Sequence, residues 1–428
     1  MLQRVDIPEA SITDYQTIIG GDEVERLKAL AEPLRGARIT HINATQYGGG
    51  VSELLRSTIA IQRGLGIEAE WRVISGAPRF FEVTKGVHNA LQGGDYQLTP
   101  EDRETFLLQN AYNARHLDDY DAVVIHDPQP AAMRNLHGRG HAKWIWRCHI
   151  DTSQPNEDVL DFLLPYITPY DALVFTMDTF VPLALKSNNV HLIPPAIDPL
   201  SPKNFDLPEE QSRRIMRWVG MNPDKPLMTQ VSRFDPWKDP LGVVRIYRLA
   251  REVIPDLQLA MLGSMALDDP EGWGFLKQLQ EDTSDDPNVI VATNLTGIGN
   301  IEVNAFQRHS HVVVQKSIRE GFGLIVSETL WKGTPVVAGN TGGIPMQMPD
   351  GAGGFLVDAQ DEETFAKRVI ELLTDREVAQ SLADRGHEVT RQHYLITRLV
   401  ADELQLVSDL VTNRSPVDKA ALQPSTTA

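Results

Sequence analysis

At 428 residues the chain exceeds what one hydrophobic core usually organises, so two domains are expected. Its 58 acidic residues against 40 basic ones leave a net charge of -18, which would repel the phosphates of nucleic acid and an anionic membrane face. Neither is expected as a partner. No apolar stretch approaches the roughly 18 residues needed to span a bilayer. The opening MLQRVDIPEAS also lacks the basic start and apolar core of a secretion signal, so a cytoplasmic location is expected.

In chain order, short β-branched runs at 37–43, 69–74, 121–126, 142–150 and 171–176 read as strands. Helix-length segments separate them, which implies parallel βαβ units. Residues 51–65 carry the helical period through Val51, Leu54, Leu55, Ile61 and Leu65, and this helix is expected to start at the glycines 48–50. Cys148 is the single cysteine, which excludes an internal disulfide and a cysteine-based metal site; within AKWIWRCHI it reads as a small core residue. Around 193–208 the proline-rich IPPAIDPLSPKNFDLP marks a linker. A second alternating series follows, with strands at 227–232, 257–263, 288–292, 311–315, 334–338 and 354–357. Helical patterns lie at 239–253, 300–309, 323–332, 361–374, 376–391 and 395–411. The fold class is therefore α/β, two successive open parallel-sheet domains that bind ligand at the carboxyl ends of strands. The tail 412–428 lacks apolar periodicity and is expected to be disordered.

Four segments carry chemistry. In REGFGLIVSETLWKG, Glu320 sits in a glycine-rich turn and Glu328 in the helix that follows; Gly321 and Gly323 allow close backbone approach, and both carboxylates suit a hydroxyl-rich ligand. In LMTQVSRFDPWKDP, Arg233 and Lys238 follow a buried strand, where a guanidinium and an ammonium would neutralise a diphosphate. The competing reading is an exposed loop pairing with Asp235 or Asp239. NATQYGGGVSELL gives a strand, then Gly48, Gly49 and Gly50, then a helix, yet matches neither the Rossmann fingerprint nor the P-loop. RCHIDTSQPN places His149 and Asp151 on one face if the strand runs on that far. A metal pair and a structural histidine both stay open there, since two ligands do not make a site. Asp119 and Asp121 form an Asp-x-Asp at the amino end of a strand, opposite the expected crevice, and Gly297-Ile298-Gly299 lacks the third glycine of a dinucleotide site. Neither is assigned chemistry.

With SRFDPWK, EGFGLIVSE and the early glycine turn, the chain resembles the retaining glycosyltransferases of family 4. RCHIDTSQPN, IPPAIDPLS, the DDPEGW at 268–273, EVNAFQR and SIREGFGL extend that resemblance to the glycosyltransferring trehalose synthase type. It implies the GT-B architecture, two Rossmann-like domains facing a cleft, with boundaries at 1–198 and 199–392 and a helix at 393–411 returning to the first domain. It also implies transfer of glucose from a nucleoside-diphosphate glucose to free glucose, giving α,α-trehalose in a reaction open to reversal. Arg233 and Lys238 would hold the diphosphate, Glu320 would face the donor sugar and Glu328 the ribose. His149 would sit against the donor glucose, and Gly49 and Gly50 by the phosphates and acceptor. Asp151 and the turn Gly321, Phe322, Gly323 and Leu324 complete the expected substrate-binding set. No cofactor and no metal site are expected, Mg2+ acting only as a non-ligated stimulant. A homodimer is expected as the commonest closed assembly. Asp239 departs from many relatives, which carry glycine after the lysine. The rival readings are another acceptor, as in sucrose-phosphate synthases, a non-catalytic nucleotide-sugar sensor, and a nicotinamide oxidoreductase, the last disfavoured by the missing fingerprint.

Overall fold

A computed structural model describes residues 2–47, 49–138, 140–265 and 270–412. Apart from Thr412, the tail expected to be disordered lies outside these residues, as do Gly48 and the start of DDPEGW. The chain divides into two compact units, one formed up to Pro195 together with the segment from Ile396, the other by Ala196–Leu395.

The first unit is built on a seven-stranded sheet. Its strands are β1 (Gln3–Val5), β2 (Arg38–Asn43), β3 (Glu68–Val73), β4 (Ala122–His126), β5 (Lys143–Arg147), β6 (Ala172–Phe175) and β7 (Val190–Leu192), in the order β1-β3-β2-β4-β5-β6-β7. All neighbours are parallel except the edge strand β1, which runs antiparallel to β3. Every residue of β4, AVVIH, is buried, the pattern of a parallel strand covered on both faces. The helix Gly49–Gly64 begins at the glycines, as its period predicts, and buries Leu54, Leu55, Ile59 and Ile61. The helix Ile396–Thr412 packs against it and against the helix Gly21–Ala31, sealing Leu399, Val400 and Leu404. Its Glu403 forms a buried ion pair with Arg147 at the end of β5.

The second unit carries a six-stranded, wholly parallel sheet. Its strands are β8 (Leu227–Ser232), β9 (Gln258–Gly263), β10 (Val289–Thr293), β11 (Val312–Gln315), β12 (Val336–Gly339) and β13 (Gly354–Val357), ordered β10-β9-β8-β11-β12-β13. Met228, Val312 and Val314 pack under Phe234, Tyr247 and Phe365.

Both sheets reverse their winding once, between β2 and β4 in the first unit and between β8 and β11 in the second. At such a switch point the adjoining connections leave in opposite directions and open a crevice at the carboxyl ends of the strands. The segments after β2, β4, β8 and β11 are therefore where ligands are expected. Three of the four segments singled out above begin there; the fourth, RCHIDTSQPN, begins one strand over, after β5.

One strand is shorter than its sequence suggests. The run 142–150 stops pairing as β5 at Arg147, because the His149 N–H donates to the Asp127 side chain (Oδ1, 2.8 Å) instead of a strand carbonyl. His149 and Asp151 consequently do not share a strand face.

Candidate functional site

In the second unit, the loop after β8 is fixed by its own acid. Asp235 accepts the Lys238 backbone N–H at Oδ1 (3.1 Å), and its Oδ2 pairs with the Arg233 guanidinium at 2.9 Å. The Gln230 side chain, at the end of β8, donates to the Lys238 carbonyl (2.9 Å). Ile318 N–H donates to the Trp237 carbonyl (2.8 Å), tying this loop to the one after β11. Lys238 Nζ then donates to Glu320 Oε2 across the switch point. Gln315 Nε2 and Ser317 Oγ donate to the same oxygen, each at 3.2 Å. Lys238 and Glu320 are thus brought together, and Arg233 joins them through Asp235 while its side chain stays 60% exposed. Three donors converge on one oxygen of Glu320, and the Arg233 guanidinium, paired on one side with Asp235, stays exposed on the other.

The glycine turn is shaped by close approach. Gly323 has φ +83 and caps the helix Leu324–Trp331; a Cβ there would crowd Glu320 Cγ at 3.2 Å. Gly342 approaches more closely still, since its Cβ would lie 1.7 Å from the Glu320 carbonyl oxygen. Phe322 is buried against the Tyr394 ring, 5.4 Å between centroids, while Gly321 and Leu324 remain partly open. Gln347 donates to the Phe322 carbonyl and locks the turn from below. Glu328, in the same helix, is almost wholly buried; Lys203 pairs with its Oε1 at 3.2 Å and Gln307 donates to its Oε2 at 3.4 Å. Lys332 Nζ, bonded to Asn204, Gln307 and the Glu328 carbonyl, completes that network.

Asp239 occupies a left-handed backbone conformation (φ 40) that glycine would adopt without strain. Its carboxylate caps the helix Pro240–Val253 through Gly242 N–H (3.0 Å) and pairs with the buried Lys316. The departure from glycine is therefore supported by two bonds that glycine could not make.

In the first unit, Asn43 organises the glycine turn: its Nδ2 donates to the Thr45 carbonyl (2.7 Å) and its Oδ1 accepts from Trp71 Nε1 (2.8 Å). Gly49 and Gly50 start the following helix. Asp151 turns back to accept Ser153 N–H (2.9 Å), a local turn, so it shares no strand face with His149. His149 ends a row of three stacked imidazoles. His41 Nδ1 lies 3.1 Å from His126 Nε2, and His126 Nδ1 lies 2.9 Å from His149 Nε2. Burial drives all three well toward the neutral form, His41 to about 4, with the Arg147 charge adding in the same direction. Burial also raises the Asp127 carboxyl to about 7. Cys148 is buried, and burial pushes its thiol up, away from reactivity.

The set-aside pair proves structural on one side: Asp121 Oδ2 accepts the Arg38 backbone N–H at 3.0 Å. Gly299 starts the helix Asn300–His309, its N–H held by Glu302 (2.8 Å). Among the described residues, no three His, Cys, Asp or Glu side chains gather as a metal cage, and no helix is long and apolar enough to cross a membrane. Ser317, Gln315, Gln347, His41 and His126 were not singled out by sequence, and Asp235 was named only in the competing reading, as the loop partner that Arg233 does have. Only Ser317 and Asp235 lie inside the motifs that were.

Comparison with known proteins matches residues 41–182 to the trehalose synthase N-terminal domain and residues 211–389 to the glycosyl transferases group 1. A trehalose synthase of Rubrobacter xylanophilus is 48% identical over 96% of this chain and 100% of its own length. One of Pyrococcus horikoshii is 43% identical over 93% and 96%. Among solved structures, a sucrose-phosphate synthase of Thermosynechococcus elongatus superposes with a TM-score of 0.70 at 17% identity, covering 88% of this chain and 100% of that one, and shares the fold. With two domain matches in series and near-half identity along almost its whole length, the chain belongs to the trehalose synthase family of GT-B glycosyltransferases.

Proposed function

We propose that the chain transfers glucose, with retention, from a nucleoside-diphosphate glucose to free glucose, forming α,α-trehalose in a reaction open to reversal. The observation that carries this reading is the Lys238–Glu320 pair bridging the β8–β11 switch point, with the Arg233 guanidinium exposed beside it. Breaking the anomeric C1–O bond leaves positive charge on the sugar ring and negative charge on the departing diphosphate. Arg233 and Lys238 stabilise the diphosphate oxygens, Lys238 exchanging its carboxylate partner for phosphate. Glu320, released from Lys238, accepts hydrogen bonds from donor-sugar hydroxyls. Glu328 takes the ribose, and Gly321, Phe322, Gly323 and Leu324 supply the backbone turn around the donor. His149 is assigned to the glucose, and Gly49 and Gly50 to the phosphates and acceptor. The acceptor oxygen bonds to C1 on the face the diphosphate leaves, and its proton passes to a phosphate oxygen, so no protein nucleophile is required.

The name and identity of the trehalose synthase relatives support the product. The test offers ADP-, UDP- and GDP-glucose, each with glucose or glucose 6-phosphate, and identifies the disaccharide. Trehalose from free glucose is expected; product only with glucose 6-phosphate would overturn the acceptor.

A further inference from the structure

The three histidines do more than pack. They lie on consecutive segments of one sheet: His41 in β2, His126 at the end of β4, and His149 just past β5. Their rings stack, with centroids 5.4 and 5.2 Å apart and interplanar angles of 26° and 15°. His41 and His126 are almost completely buried. The far end of the row is closed by Gln62, itself 1% exposed, whose Oε1 faces His41 Nε2 at 3.3 Å.

A neutral imidazole has one N–H and one bare nitrogen, so a row of them has a direction. A carbonyl oxygen only accepts, hence His41 Nε2 carries the proton toward Gln62. His41 Nδ1 is then bare and accepts from His126 Nε2–H, and His126 Nδ1 in turn accepts from His149 Nε2–H. Protonating His41 or His126 at its bare Nδ1 would put two N–H groups face to face. Burial opposes that charge, and so does the Arg147 guanidinium, which disfavours the cation at all three rings. Asp127 accepts the His149 backbone N–H and fixes where the ring stands, and Glu403 is taken up by its ion pair with Arg147. Gln62, His41 and Arg147 line one small pocket with Glu403, and since Gln62 and His41 are both buried the row ends inside the unit rather than in solvent.

We propose that Gln62, His41 and His126 are positioning residues that lock His149 in the tautomer protonated at Nε2, leaving Nδ1 a bare acceptor for a sugar hydroxyl. The sugar contact rests on the function proposed above; the tautomer does not. A bare Nδ1 discriminates by chemistry: it takes a hydroxyl hydrogen and cannot donate to an ether or phosphate oxygen.

The experiment uses the full chain labelled with ring-15N histidine, read by two-bond 15N–1H correlation at neutral pH without ligand. His149→Phe assigns the His149 signals. The expected spectrum has Nε2 protonated and Nδ1 bare. Gln62→Leu removes the terminal acceptor and should let the row reverse or average, shifting the His149 signals. It should also lower kcat/KM for the sugar substrates by up to about tenfold, the worth of one neutral hydrogen bond. A wild-type His149 protonated at Nδ1, or at both nitrogens, overturns the proposal. So does an unshifted His149 spectrum in folded Gln62→Leu. Should that variant fail to fold, the wild-type spectrum decides, and His126→Phe, which keeps the stack and cuts the row, replaces it. Normal turnover by His149→Phe together with the expected tautomer would remove the sugar contact and leave the row standing.

Discussion

In the first unit the Arg147–Glu403 pair ties β5 to the helix Ile396–Thr412, and its side chains are only 2% and 9% exposed. In the second, the Lys238–Glu320 pair joins two loops at a switch point, with side chains 14% and 13% exposed and further polar partners at hand. One fold plan thus places two ion pairs in different economies of solvation. Charges sealed under a helix have no second carboxylate to turn to, Arg147 keeping only the Ile193 carbonyl at 3.3 Å, so breaking them harms the fold. Charges at strand ends can change partners, so on the proposed function breaking them is expected to harm ligand handling. The first unit's three stacked histidines follow the same logic in reverse, being held neutral by burial.

The largest effect is expected where the comparison is starkest. Glu403→Leu leaves the Arg147 guanidinium buried and unpaired and should cost about 3–5 kcal/mol in denaturant unfolding, whereas Arg147→Met with Glu403→Leu should recover most of it. A single variant within about 1 kcal/mol of wild type would mean that Arg147 finds water there, and the contrast between the units would collapse. Lys238→Ala is the counterpart: turnover should fall at least about a hundredfold, by analogy with a lost oxyanion donor worth ~2.7–4 kcal/mol, while the unfolding midpoint hardly moves. Near-normal turnover would take Lys238 out of the site.

A further prediction concerns pH. His41 titrates near 6.5 when unfolded and at about 4 when folded, so the unfolded chain binds protons first as pH falls. The stability tied to its neutral form is therefore complete above pH ~6.5 and lost progressively toward about 4, roughly 3 kcal/mol in all. His126 and His149 shift in the same direction. Asp127 opposes them over part of the range, because its folded carboxyl, raised to about 7, becomes costly as pH rises from ~4 toward 7. Three imidazoles outweigh one carboxyl, so net acid lability is expected, and His41→Phe should flatten the acid limb of an unfolding-midpoint profile. An unchanged limb would show that the row does not govern acid stability.

How much of this was legible follows from where the signal sits. Parallel strands advertise themselves as apolar runs, and AVVIH and HVVVQ each lie within a residue of the observed strands. That Lys238 and Glu320 meet was legible because both stand where such runs end, at the carboxyl ends of neighbouring strands. His41 and His126 were not, because they lie within or at the end of the runs RITHIN and AVVIH, where a histidine reads as core. Only the lateral order β2-β4-β5 places them beside each other and beside His149. Glu403 was hidden for the same reason: 256 residues separate it from Arg147, and a glutamate in an amphipathic helix looks solvated until the helix is docked. Asp151 misled in the opposite direction, since strand alternation was extended past Arg147, where the Asp127 side chain takes over the His149 N–H.

The smallest effect is expected at Asp239, beside the Lys238–Glu320 pair yet outside it. Asp239→Gly relieves a left-handed strain of about 1–2 kcal/mol. It also removes the helix cap, for which glycine costs only a few tenths, and leaves the buried Lys316 with Glu362 alone, at 3.7 Å. The terms nearly offset, and a net loss of about 1 kcal/mol or less is expected in unfolding. Lys238 keeps its Asp235 and Gln230 anchors in this variant, so turnover should change by no more than about threefold. If turnover instead collapses while the fold survives, the loop after β8 is positioned from the Asp239–Lys316 pair, and the division between charges that hold the fold and charges that hold the ligand does not apply to the second unit.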